Sequence, residues 1–520
     1  MNPYDWFDKG LQKGGSAPLL IAPGGLTLTY GDMEVAATGL AATIHAEQGE
    51  GARVAVLSRN YPWAFVGILA AWRSAGAWVP LTYRNTVEEN VDLLNELGVE
   101  WLLYHSDFDA DVEVIRTRVG GLRRAICIDR EGREDSLHAL VEAAKNLPLP
   151  TITDDRDRII AFGASGGSTG RPKSIEISSL AWETMAATAS MIMPFSGRPK
   201  HLLVAPMAHA AGVLAALLLS QGASNILLDQ FDPTEVLDAI EAHGITHLFL
   251  PPTALYGLLE EARVRNRDYS SLQYLIISAG PASPHKLKEA VDVLGPCLCQ
   301  AYGQAEAPFF MTWLSPGDIV DAVNEPDKSP HLRSCGKETE LVRLAVVDPA
   351  GTDFLPTGEV GEIAVRSNLC MTGYYNQPEA TQALRDIRGW QRTGDVGYVD
   401  EDGYYYITDR KRDMIISGGY NIYCTEVEQA ILAHPDVENA AVFGIPHDRW
   451  GEAVTAAVQL KPSRGLSEEE LIAFCREELG SLRAPKTISF HEQLPRNAAG
   501  KVLKRDLRAP YWVGVDRQVS

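Results

Sequence analysis

Strand and helix signals alternate along this chain in units that admit few folds. Arg53–Leu57 is a short apolar run. Asn60 and Pro62 stand where an N-cap and a first turn belong, and Trp63, Val66, Leu69 and Ala70 form a helical stripe. Gly76 sits near the C-cap, ahead of a second apolar run at Trp78–Leu81. A second unit follows at once: Thr86-Val87-Glu88-Glu89 reads as a capping box, Gly98 ends its helix, and Trp101–Tyr104 is the next strand. Further on, Asp232-Pro233-Thr234-Glu235 opens a helix that Gly244 closes, ahead of Thr246–Leu250. Repeated β-α units predict parallel sheets covered on both faces.

The pattern then changes twice. Leu344–Val347 and Glu362–Val365 are short strands separated by Asp-Pro and Gly-rich turns, which predicts a small antiparallel element. After Arg410, Thr425–Glu428 and Ser467–Glu470 read as capping boxes, with alternating strands at Val437–Phe443 and Val454–Leu460. This tail is expected to form its own α+β domain, and 520 residues exceed one ordinary domain. The fold class is therefore α/β. A large N-terminal domain carries doubly covered, mostly parallel sheets and a small antiparallel, barrel-like element, and a small α+β domain follows it.

Between an apolar strand and an alternating one lies Phe162-Gly163-Ala164-Ser165-Gly166-Gly167-Ser168-Thr169-Gly170-Arg171-Pro172-Lys173. Glycines let backbone N–H groups converge on one point, and hydroxyls add donors without bulk, a nest suited to polyphosphate. Lys173 adds a mobile charge for the same oxygens. No Gly-Lys-Ser/Thr occurs here, so this is not a Walker A loop. The stretch resembles the phosphate loop of the adenylate-forming superfamily, which holds acyl- and aryl-CoA synthetases, luciferases and the adenylation domains of peptide synthetases.

Further stations follow in the order that this resemblance implies, from about Arg53 to Arg505. The phosphate loop, Ser165 to Gly170 with Lys173, would hold the ATP phosphates. Ala279, Gly280 and Pro281, with Tyr302, would pack on adenine. In Tyr302-Gly303-Gln304-Ala305-Glu306 the carboxylate would hold Mg²⁺, a hard cation that takes one or two carboxylates beside phosphates. Ala305 departs from the family's usual Thr, whose hydroxyl touches the α-phosphate; its loss costs on the order of 1.5–3 kcal/mol if unreplaced. Trp182, His209, Gly280, Gln304 and Ala305 would lie at the acyl pocket.

Asp395, in Gly389-Trp390-Gln391-Arg392-Thr393-Gly394-Asp395, and Arg410 would hold the ribose. The resemblance divides the chain into 1–411 and a mobile 412–520, with the hinge at Arg412, where relatives carry Asp or Lys. Gly418 and Gly419 would approach the pantetheine of coenzyme A. Lys501, in the loop after Leu494-Pro495, would be the catalytic lysine that neutralises charge on the attacking carboxylate and α-phosphate. Accessory matches are Gly358–Glu362 and Met371-Thr372-Gly373-Tyr374-Tyr375.

The implied reaction is ATP-dependent ligation of a carboxylic acid to coenzyme A through an acyl-adenylate, with Mg²⁺. Two other readings stand beside it: an adenylation enzyme that loads a carrier protein, and a nucleotide-binding regulator that has lost catalysis. Small side chains at Gly280, Ala305 and Ala307 lean toward a bulky acid. A net charge of −21 without a basic block argues against nucleic acid and anionic membrane as partners. The longest apolar run, near Val213–Leu219, is too short for a transmembrane segment. The N-terminus has no signal-peptide pattern, and seven scattered cysteines, with Cys297-x-Cys299 read as buried packing, point to a reducing cytoplasm. Oligomeric state is open, with a homodimer as one option.

Overall fold

The structure is a computed structural model. It describes all residues except 133, 134, 150, 166–172, 265, 266, 386–388, 463, 497–501 and 514–520. The chain forms two compact units, Met1–Arg343 with Val365–Gly389, and Leu344–Ala364 with Trp390–Ser520.

The first unit is built from the expected β-α repeats. Strands β1 (Arg53–Leu57), β2 (Ala77–Leu81), β3 (Trp101–Tyr104), β4 (Arg124–Cys127), β5 (Ile159–Ala164) and β6 (Ser174–Ser178) form one sheet in the order β6-β5-β2-β1-β3-β4. Strands β1 to β5 run parallel and β6 returns antiparallel to β5. In the second sheet, β7 (Lys200–Leu203), β8 (Ser224–Leu227), β9 (His247–Leu250), β10 (Tyr274–Ile277) and β11 (Leu298–Gln304) are parallel in the order β8-β7-β9-β10-β11. Strand β12 (Ala307–Leu314) then folds back on β11. Strand β1 lies between β2 and β3, and β7 between β8 and β9, so connections leave in opposite directions between β1 and β3 and between β7 and β9. A crevice opens beyond the strand C-termini at such a reversal.

Local chemistry explains most boundaries. Thr86 and Glu89 form the reciprocal capping box ahead of the helix Val87–Glu96. Asp232 caps Pro233–His243, which Gly244 ends in a left-handed conformation. Asn60 is a correction: it caps no helix. Its chain enters a short 3-10 turn at Pro62–Ala64, and its side chain reaches the other sheet. Cys297 and Cys299 are buried, and burial pushes the Cys297 thiol up to about 12.

In the second unit, strands Arg343–Val347, Gly361–Arg366, Gln391–Val399 and Tyr404–Arg410 lie side by side in that order, the last two antiparallel. Strands Val437–His447 and Gly451–Leu460 are antiparallel, with Thr487–Phe490 parallel to the latter. Helices Cys424–Leu432 and Glu468–Arg483 cover this sheet over a core that includes Val427, Ile431, Val442, Val454 and Leu471. Ser467 and Glu470 make the predicted capping box. Thr425 and Glu428 do not: the Glu428 carboxylate accepts from Val442 N at 2.7 Å and pairs with Lys504 at 2.7 Å. Among the described residues no helix is long and apolar enough to cross a membrane.

Candidate active site

The β5–β6 hairpin presents the Gly/Ser loop. Pairs Phe162–Glu176, Gly163–Ile175 and Ala164–Ser174 run to its mouth. There Ser165 N donates to Lys173 O and Lys173 N donates to Ser165 Oγ, both at 2.9 Å. Ser165 is thus the clasp that closes the loop. Gly166, Gly167, Ser168, Thr169 and Gly170 lie outside the described residues.

Lys173 is carried toward Glu306 by a third segment. The short strand Gly373–Tyr374 pairs with β6, setting Tyr374 opposite Ile175. The Lys173 ammonium lies over the Tyr374 ring, 4.6 Å from its centre. The Tyr374 hydroxyl donates to Glu306 Oε1 at 2.8 Å, and Met371 N donates to Glu306 O at 2.9 Å. Burial, with the Glu306 carboxylate, pushes the Tyr374 phenol well above its ordinary range, so it stays a donor. Glu306 itself follows Ala305 in the turn between β11 and β12, where Gln304 pairs with Ala307. Nothing in sequence spacing signals this role for Tyr374, because the contact joins segments remote in the chain.

At the ends of β10 and β11 the adenine candidates come together. Ser278 Oγ donates to Ala301 O at 2.7 Å, tying the end of β10 to the middle of β11. Ala279 then takes φ +70°, and Ala279, Gly280 and Pro281 are exposed beside half-buried Tyr302 and Gln304. A side chain at Gly303 would meet Phe309 N at 2.5 Å, so only glycine lets β12 press this close.

His209 follows β7 at the sheet's reversal. Burial, and then Arg84, lower its pKa, so the ring is neutral, and its buried Nε2 has no partner among the described residues. The segment is held by Asn60, which follows β1 at the reversal of the other sheet. Asn60 Nδ2 donates to Ala205 O at 3.1 Å and Leu228 O at 2.9 Å, and its Oδ1 accepts from Met207 N at 2.9 Å. A side chain on Gly212 would come 1.8 Å from Met207 O, which seals the turn from the other side. Trp182 is a core residue at 2% exposure, packed edge-on against Trp72 at 4.8 Å.

The second unit holds the ribose candidates as a bonded pair. Asp395 and Arg410 are cross-strand neighbours, with Arg410 Nε 2.7 Å from Asp395 Oδ1. The residues before Asp395 explain their types: Thr393 Oγ1 donates to Ile363 O and accepts from Asp395 N, and Gly394 takes φ +72°. Glu362, buried at 3% exposure, accepts from Gly394 N at 3.1 Å and pairs with Arg392 at 2.7 Å. Glu362 thus fixes the turn before Asp395 and belongs to the Gly358–Glu362 match.

Gly418 and Gly419, at φ +59° and +84°, form the two-residue turn between strands Ile415–Ser417 and Tyr420–Ile422. Arg412 stands in the turn closed by Asp413 N and Met414 N on Arg410 O. Lys501 lies outside the described residues; Arg496 and Val502, on either side of residues 497–501, pair in an antiparallel bridge. Lys504, in the helix Lys504–Arg508 that follows, is half-buried; desolvation opposes its charge, but Glu428 more than offsets this and holds it protonated.

Comparison with known proteins places these features in a family. The AMP-binding enzyme family matches residues 7–375, and its C-terminal domain matches residues 426–501. A medium/long-chain-fatty-acid–CoA ligase of Mycobacterium tuberculosis is 34% identical over 91% of this chain and 83% of its own. A feruloyl-CoA synthase of Amycolatopsis is 34% identical over 93% of this chain and 94% of its own. Among solved structures, the amide bond synthetase McbA of Marinactinospora thermotolerans superposes with a TM-score of 0.86 at 30% identity, over 98% of this chain and all of that one.

Proposed function

The chain belongs to the AMP-binding enzyme family and is an AMP-forming acid–thiol ligase, and on that premise we propose how its residues share the work. A carboxylic acid enters the crevice beside His209, Gly280, Gln304 and Ala305. Its carboxylate attacks the α-phosphorus of ATP, pyrophosphate leaves, and an acyl-adenylate remains. Adenine lies between Ala279–Pro281 and Tyr302, and Asp395 with Arg410 takes the ribose hydroxyls. Lys173 and the loop 165–170 carry the phosphates, and Lys501 meets the charge that develops as the new bond forms.

Glu306 suits Mg²⁺ by its chemistry, a hard oxygen donor fixed by the Tyr374 hydroxyl beside a phosphate loop. When bound, the ion held by Glu306 would neutralise charge on the phosphates. Residues 412–520 then turn about Arg412, bringing Gly418 and Gly419 to coenzyme A, whose thiol displaces AMP. The observation that carries the nucleotide reading is the meeting of Lys173 and Glu306 on one tyrosine. The small residues Gly280, Ala305 and Ala307 support a bulky acid, and strong preference for acetate or propionate would contradict that. We read the compartment as a reducing cytoplasm, and light scattering would show whether the chain is a homodimer.

Exchange of labelled pyrophosphate into ATP, driven by the acid, tests the first step alone. Lys501→Ala is expected to lower exchange by about 10²–10³-fold, the usual effect of removing a transition-state charge partner. Exchange at the unaltered rate in that variant would remove Lys501 from the mechanism.

A further inference from the structure

We propose that Tyr374 is a positioning residue for adenylation, holding the phosphate-loop lysine and the metal-binding carboxylate in place before nucleotide binds. The proposal rests on the reading of Lys173 and Glu306 given above. Two opposite charges at one site pair with each other, and a paired lysine and glutamate must be separated before either can serve phosphate or metal. Tyr374 offers each a different surface. The ammonium rests on the ring face at 4.6 Å, and the carboxylate accepts from the hydroxyl at 2.8 Å. Among the described residues Lys173 makes no ion pair. A cation on a ring is held only weakly, so a phosphate can draw it away, and an oriented carboxylate needs no reorganisation to meet a cation.

The tyrosine is fixed well enough for this. Its N donates to Thr381 Oγ1 at 2.9 Å, and the flanking N–H groups of Met371, Thr372 and Tyr375 bond to Glu306 O, Glu176 O and Ser174 O at 2.8–2.9 Å. A side chain at the preceding Gly373 would meet Thr381 Oγ1 at 3.1 Å, so the strand sits tightly on its neighbour. One short segment thereby joins the phosphate hairpin to the Glu306 turn.

Calorimetric titration of ATP at graded MgCl₂, with no carboxylic acid present, separates binding from turnover. Tyr374→Phe keeps the ring and deletes the hydroxyl. It is expected to raise the MgCl₂ needed for half-maximal ATP affinity about tenfold, the loss of one hydrogen bond to a charged group, with affinity restored at saturating MgCl₂. Tyr374→Leu deletes the ring as well and is expected to weaken ATP binding even at saturating MgCl₂. Glu306→Gln separates the two levels of the reading. If Glu306→Gln shifts the MgCl₂ dependence and a folded Tyr374→Phe titrates like the unaltered protein, the proposal is overturned while the metal reading stands. If Glu306→Gln shifts nothing, the metal reading fails and the proposal with it.

Discussion

Asn60 commits its whole amide to three backbone groups of the segments that follow β7 and β8, and so ties together the reversal points of two sheets. Aspartate has the same shape but cannot donate, so Asn60→Asp would turn a carboxylate toward two partly buried carbonyls. The expected cost is about 3 kcal/mol, read as a lower denaturation midpoint, because two lost hydrogen bonds and a charge at a buried position both add. KM for the acid should rise more than KM for ATP, since the His209 segment is what loosens. In the sequence this residue is indistinguishable from an N-cap: asparagine before proline and an apolar stripe satisfies that pattern. Its partners lie on strands far along the chain, and no local rule reaches them. The contacts of Tyr374 and Glu362, residues of accessory matches, are hidden for the same reason, whereas Gly394 and Thr393 are visible in a motif whose local turn needs them.

Two elements with the same signature show where local reading stops. Ser467-x-x-Glu470 and Thr425-x-x-Glu428 both spell a capping box, and only the first forms. At the second, the Asp409 carboxylate accepts from Cys424 N, and Glu428 is drawn to Lys504. Tertiary partners outcompete the cap. Ser467→Ala should therefore cost about 1 kcal/mol, as N-cap loss does, and Thr425→Ala much less, measured by denaturant unfolding of each variant.

Strands β7 and β9 carry a second consequence. His201 and His247 face one another in register at their starts and are buried. Burial lowers their pKa values to about 4 and about 3. In the unfolded chain both titrate near 6.5. Above that value neither state is protonated and their contribution is full. As pH falls from about 6.5 toward 4, only the unfolded state takes up protons, and stability drops, by about 3 kcal/mol for His201 alone. Melting followed from pH 7 to pH 4.5 should show a falling midpoint, with a shallower slope in His201→Gln/His247→Gln. An equal slope in the variant would assign acid sensitivity elsewhere.

At the scale of the molecule, the chain's reading rests on repetition and order. The β-α repeats, with their caps and breakers, predicted parallel sheets, and the two sheets have that form. The order of chemical stations implied the family, and the family matches from residue 7 to 375 and from 426 to 501. What sequence could not supply is how stations meet, because Lys173, Glu306 and Tyr374 come from three segments remote in the chain, a hairpin, a turn and a short strand, and Asp395 meets Arg410 only by register. The identity of the acid is a further step, since a pocket of small residues sets a size and not a structure. The most direct test is mass analysis after mixing the protein with MgATP and a panel of carboxylic acids, with and without coenzyme A. The account predicts AMP and the acyl-CoA of one bulky class of acid when coenzyme A is present, and acyl-AMP when it is withheld. Acyl-AMP that persists with coenzyme A present, or ATP bound without release of pyrophosphate from any acid, would contradict it.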